Sequence, residues 1–258
     1  MPPNGPGALV VNADDWGRDS ETTDSTLDCA LCGTVSSASA MVFMSDSGRA
    51  ADLAQQHAID AGLHLNFTTP FSASTVPGRL QARQAELAAC LRRGRLSQVI
   101  FHPTLARSFE YVVSAQLEEF ERLYGSAPKR IDGHHHMHLC ANVVFGHLLP
   151  RGIQVRRNFS FQPGEKSLPN RLYRKAIDRQ LARRHRLTDF LFSLAPMEPV
   201  RLQRIFALAR DHSVEVETHP ADPEENRFLR SGEILRLIAD VPIARCFTSA
   251  KPHQHMVA

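Results

Sequence analysis

The chain has no apolar run approaching the ~20 residues that a membrane-spanning helix needs. Its first seven residues, Met1–Gly7, lack the basic and apolar regions of a signal peptide, which points to a cytoplasmic protein. Charge of one sign is also scarce: a formal net charge of +3 over 258 residues falls well short of a nucleic-acid-binding composition. Basic residues do cluster at Arg171–Lys175 and Arg179–Arg186, where a solvated helix face or recognition of an acidic partner would account for them. Five cysteines form no disulfide framework, and Cys29-Ala30-Leu31-Cys32 falls inside a helical pattern without a second pair, so reduced thiols are expected. No glycine-rich dinucleotide or P-loop fingerprint follows the first apolar run, where Asp14-Asp15-Trp16-Gly17 stands instead.

What the chain does contain is a regular alternation. Short apolar runs at Ala8–Ala13, Ala38–Met44, Leu63–Phe67, up to Ile131-Asp132, Ile153–Arg156, Phe190–Leu194, Val214–Thr218 and Ala244–Phe247 read as strands. Helical patterns lie between them, at Asp19–Leu31, Ser47–Ile59, Leu80–Arg93, Phe109–Tyr124, Asn142–Leu149, Leu168–Arg186, Val200–Asp211 and Ser231–Ala239. This order predicts an α/β fold with parallel strands and outer helices, a (β/α) barrel or distorted barrel, with an open doubly wound sheet as the alternative. Without repeats or linkers, residues 1–258 read as one domain, with a short disordered N-terminus (1–7) and a C-terminal tail from about 250 to 258. Thr69–Gly78 and Phe161–Pro169 read as loops over a site.

In parallel barrels the strand C-termini carry the chemistry. Four such ends bear polar groups that packing does not call for: Asn12-Ala13-Asp14-Asp15, His64 within Gly62-Leu63-His64-Leu65, Asp132-Gly133-His134-His135-His136-Met137-His138, and Glu217-Thr218-His219-Pro220. Adjacent aspartates repel each other unless a cation intervenes, in which case one carboxylate binds it and the other takes a proton from water. A helix cap at Asp15 or Asp19 is the bland alternative. His64 is by itself compatible with a hydrogen-bonded core histidine. Four histidines in five residues are harder to explain by stability, and neutral imidazoles are the commonest metal ligands; Asp132 stands where it can orient one ring. His219 is either a loop residue before a turn proline or the proton donor to a leaving amine.

Taken in order, these four motifs resemble those of the YdjC-like carbohydrate deacetylases, which include chitooligosaccharide deacetylases. The resemblance runs from position 11 to 220 and implies one divalent metal (Mg2+ or Zn2+) held by Asp15, His64 and His134. It further implies Asp14 as general base and His219 as general acid, with Trp16, His136, His138 and Arg156 as substrate-facing groups. The implied substrate is an N-acetylated sugar or glycolipid, with no nucleic-acid partner and no transmembrane segment; a homodimer is compatible with it. Arg18–Asp24 and Ala221-Asp222-Pro223 depart from the family pattern, so the substrate loops are expected to differ. Two rival readings are another metal hydrolase, an amidohydrolase or phosphoesterase using His136-Met137-His138, and a non-catalytic sugar-binding barrel.

Overall fold

A computed structural model describes residues 7–161, 165–238, 241–244, 246 and 247. Of the terminal segments expected at 1–7 and about 250–258, only Gly7 is among the described residues; 162–164, in the predicted loop after Phe161, also lie outside them.

Seven strands form one sheet: β1 (Ala8–Trp16), β2 (Ser37–Ala40), β3 (Asp60–Leu65), β4 (Arg130–Gly133), β5 (Gln154–Val155), β6 (Phe190–Ser193) and β7 (Ser213–Thr218). Their order is β5-β4-β3-β2-β1-β7-β6, and every pairing is parallel. The helices are α1 (Ser20–Leu31), α2 (Ser47–Gln56), α3 (Gly78–Leu91), α4 (Arg95–Val99), α5 (Ala106–Tyr124), α6 (Ala141–Phe145), α7 (Leu168–Ala182), α8 (Pro199–Leu208), α9 (Pro223–Arg230) and α10 (Glu233–Ile238). The sheet curls into a half-barrel with its helices outside. β5 and β6 are its edges, and the chain leaving β5 lies against β6, with the Ser160 amide donating to the Leu191 carbonyl at 2.8 Å.

The predicted strand at Ala244–Phe247 does not form among the described residues. Only Ile243 bridges to Leu9, with the Ala244 amide donating to the Leu9 carbonyl at 2.7 Å. The helix predicted to reach Arg186 stops at Ala182, because the Arg186 amide and carbonyl bond Ile153 and Val155 and draw the chain to the sheet edge. Two helices were not anticipated, α4 and α9. The second starts from a legible signal: the Asp222 side chain caps it by accepting from the Glu224 and Glu225 amides, with Pro223 next in the chain.

The strands bury both faces, and the two faces differ in chemistry. Leu9, Val11, Ala13, Leu63, Leu65, Ile131, Val155, Val214 and Val216 belong to the apolar clusters packed under the helices. The concave face carries Asn12, Asp14, Ser37, Ser39, His64, Arg130, Asp132, Glu215 and Glu217, all buried. Buried polar groups persist only when paired, and these form a ladder across the sheet. Ser37 donates to Asn12 (2.7 Å), Asn12 to Ser39 (2.7 Å) and Asp14 (2.8 Å), and Arg130 to Ser39 (2.8 Å) and Asp132 (3.0 Å). Gly62 is glycine for this reason: a Cβ there would stand 2.6 Å from the Arg130 guanidinium carbon.

Candidate metal centre

Asp15 and Trp16 complete β1, and Asp15 takes a left-handed φ of 67°. Asp19, not Asp15, caps α1, accepting from the Thr22 amide at 2.8 Å, so the Asp15 carboxylate is free to face the barrel mouth. Its Oδ1 lies 2.8 Å from His134 Nδ1 and 3.3 Å from His64 Nε2. Arg18 holds the other oxygen, Oδ2, at 2.8 Å. His64 Nδ1 in turn meets Asp132 Oδ1 at 2.7 Å, the second-layer contact that orients a ligand imidazole. Two ring nitrogens and a carboxylate oxygen therefore converge on one small volume, within 4.8 Å of one another. That donor set fits a divalent cation and leaves coordination positions for water and substrate.

The three residues that could hold a cation come from three chain segments, and the third needs an unusual backbone. Residues His134–Leu139 curl into a short 3-10 helix with left-handed φ values at His135 (55°) and His136 (57°). Such conformations are strained for residues other than glycine and cluster at functional sites. Here they send successive rings in different directions. His134 turns to Asp15, His135 to the Thr68 hydroxyl (2.9 Å), His136 to Glu217 (3.2 Å), and His138 to the Arg156 carbonyl (2.9 Å). The loop after β3 closes the site from the side, with Thr69 Oγ1 3.0 Å from His134 Nε2, in keeping with the loop role expected of Thr69–Gly78.

Asp14 stands beside this centre, its Oδ2 3.9 Å from His64 Nε2. Arg156 grips it with two nitrogens at 2.6 and 2.7 Å, and the same guanidinium reaches Glu215 (2.7 Å), Asp132 (3.1 Å) and Glu217 (3.2 Å). His219 lies within 4.8 Å of Asp14 and Glu217 and is half-buried.

Three expected substrate contacts are corrected by this geometry. Trp16 is wholly buried, donating its indole N–H to the Ala50 carbonyl, so it belongs to the core and presents no stacking face. Arg156 is buried among carboxylates and holds the aspartate rather than a ligand. His138 is buried too, and burial, together with the charge of His136, pulls its pKa down to about 3, which keeps the ring neutral. His136 alone of that group is partly open, its ring against Phe159 at a centroid distance of 4.6 Å. Glu217 entered the sequence reading only as the first residue of a polar strand end, with no role of its own, and Glu215 not at all, although the alternation in Ser-Val-Glu-Val-Glu-Thr already places both on one face of a strand.

The electrostatics favour a cation. Inside the barrel Asp14, Asp132, Glu215 and Glu217 share Arg156 and Arg130, and Asp15 adds a further carboxylate at the mouth. Burial disfavours a charged His64, but the facing carboxylates of Asp14, Asp132 and Asp15 outweigh it and raise its pKa to about 10. Without a metal, His64 is thus protonated at neutral pH, whereas a ligand imidazole must be neutral. Metal uptake is therefore expected to release about one proton near pH 7 and to weaken as pH falls. Calorimetric titration in buffers of different ionisation enthalpy checks this; an enthalpy independent of buffer would contradict it.

Residues 8–248 match the family described as YdjC-like protein. A carbohydrate deacetylase of Mus musculus is 30% identical over 182 residues, which cover 67% of this chain and 56% of the mouse protein. A chitooligosaccharide deacetylase of Yersinia pestis (strain Pestoides F) is 31% identical over 181 residues, 70% of this chain and 63% of that protein. The matched stretch thus spans less than two thirds of either relative. A solved structure from Enterococcus faecalis V583, named as a candidate cellobiose-phosphate cleavage protein, superposes with a TM-score of 0.65 at 15% identity, covering 93% of this chain and 97% of that one. At that identity the likeness speaks for the backbone alone. With the family match running from the first strand to the last described residues, this chain belongs to the YdjC-like family.

Proposed function

We propose that the chain is a metal-dependent hydrolase that removes the acetyl group from an N-acetylated sugar. The observation that carries this reading is the convergence of Asp15, His64 and His134 beside a second aspartate, Asp14, that is held by an arginine instead of joining the ligands. A divalent cation on those three residues, Mg2+ or the Zn2+ that imidazole nitrogens favour, would polarise the amide carbonyl and acidify a water. Asp14 is the base. Arg156 and Asn12 fix its carboxylate in place, and it accepts the proton of the attacking water. His219, on the other side of Asp14 and beside Glu217, donates a proton to the departing amine, leaving acetate and a free amino sugar. His136 and Phe159 line the open side and offer the substrate contacts that Trp16 does not.

The test is acetate release from a panel of N-acetylated glycans and glycolipids, with and without chelator. Asp14→Asn is expected to lose at least about a thousand-fold in kcat while binding metal as the parent does. Wild-type turnover by that variant would refute the base assignment, and release of phosphate instead of acetate would replace the reaction class.

A further inference from the structure

The surface next to the site carries an unpartnered apolar face rimmed by positive charge. Leu96 on α4 is 73% exposed and Ile100 just beyond it 52%; Leu168 and Leu172 on α7 are 69% and 67% exposed, and Phe101 and Phe145 are exposed as well. The elements are neighbours. His102, next to Phe101, is clasped by Asn142 of α6 through both backbone groups (2.9 Å each), α6 packs on α7, and Arg95 stands near enough to Arg174 of α7 for their charges to repel. Exposed aliphatic groups gathered in this way mark an interaction surface.

The charge pattern says what kind. No acidic residue occurs between Glu86 and Glu110, a stretch that supplies Arg93 and Arg95 to the exposed surface. On α7 the exposed cations are Arg171, Lys175 and Arg179, and the only acid, Asp178, is buried against Arg157. Glu165, at the edge of the face, lies near Arg201. A second copy of the chain docked about a two-fold axis would set these cations against one another. Nucleic acid would use the cations and could stack on Phe101 or Phe145, but it would gain nothing from the more exposed Leu96, Ile100, Leu168 and Leu172, which do not stack on bases. An anionic lipid surface satisfies both features, taking the aliphatic side chains between headgroups and the cations onto phosphates.

We propose that the α4–α6–α7 face docks on a membrane surface bearing anionic lipid. Arg92, at the start of this stretch, donates to the Thr68 carbonyl, and the Thr68 hydroxyl touches His135. The docked face therefore adjoins the loop over the metal centre, and contact would set the entrance of the site beside the headgroups. The proposal does not depend on which reaction the site performs.

Co-sedimentation of the full chain with vesicles tests it, using phosphatidylcholine alone against phosphatidylcholine containing phosphatidylglycerol, at low and high salt. Binding is expected to be roughly ten-fold or more tighter to the anionic vesicles and to fall with salt. Two sets of exposed substitutions separate the contributions. Arg95→Gln with Arg171→Gln and Lys175→Gln should abolish the preference for anionic lipid, and Leu96→Ser with Leu172→Ser should weaken binding at every salt, both with unchanged melting temperature. Equal or absent binding to the two vesicle types would overturn the proposal. So would a stable dimer by light scattering that Leu172→Ser dissociates, or retention of wild-type vesicle binding by both variants.

Discussion

Replacing Arg156 with methionine is expected to cost about 3–5 kcal/mol of stability, because it strands buried carboxylates without their cation. For a chain of this size the loss corresponds to roughly 6–20 °C in melting temperature. Asp14, Asp132, Glu215 and Glu217 all turn to this one guanidinium; Arg130 and His64 also pair with Asp132, and His136 with Glu217. Arg156→Lys should recover only part of the loss, since an ammonium cannot fork between two oxygens of Asp14 as the guanidinium does. The deficit should depend on pH in a defined sense. Burial alone would raise the Glu217 pKa, but Arg156 and His136 outweigh it and hold it at about 2, below its ordinary 4.5; Asp132 is likewise held low against burial by Arg156 and His64. A carboxylate with a depressed folded-state pKa contributes its stability above the unfolded value and loses it as pH falls. The gap between wild type and Arg156→Met should thus narrow as pH falls and the carboxylates take protons. Denaturant melts from pH 7 to pH 3 measure it; a gap of the same size throughout would show that lost packing, not stranded charge, dominates.

Loss of metal binding is the second large effect. Asp15→Asn and His64→Ala each remove one of the three proposed ligands and are expected to leave no stoichiometric metal after dialysis, with activity reduced on the order of a thousand-fold or more. Asp132→Asn should act less severely, weakening metal affinity about 10–100-fold by releasing the ring of His64 rather than by removing a donor. Metal content by elemental analysis reads all three directly. Stoichiometric metal in Asp15→Asn would remove that carboxylate from the centre.

The strand–helix alternation and the polar strand ends were legible because both are local. Period-two burial, a capping aspartate and a cluster of histidines leave their marks within a few consecutive residues, and Asp14, Asp15, His64, His134 and His219 all fall where those marks placed them, at one end of the sheet. The failures share a different cause. Trp16 was expected to face the sugar from the family resemblance, and in a regular strand it would share the face of Asp14 two residues before it; the left-handed φ of Asp15 and the register shift between Ala13 and Trp16 break that alternation, and the indole is packed in the apolar cluster beneath the helices. Arg156 was expected to contact substrate because the family resemblance implied it; its actual partners lie 59 and 142 residues away in the chain, a separation that no local pattern encodes. Glu215 went unread, and Glu217 was given no role of its own; a buried carboxylate in a strand is tolerable only with a cation opposite, here Arg156, which lies far away in the chain.

By itself the sequence determined the succession of elements, the parallel sheet and the kinds of ligand atoms on offer, all of which follow from short-range sterics and hydrophobic periodicity. Tertiary structure alone decided which carboxylate meets which cation inside the barrel, and therefore why Asp14 turns to Arg156 while Asp15 turns to the histidines. That division has an electrostatic origin, since Coulomb energies among buried charges depend on distances that exist only after strands remote in the chain have been laid side by side.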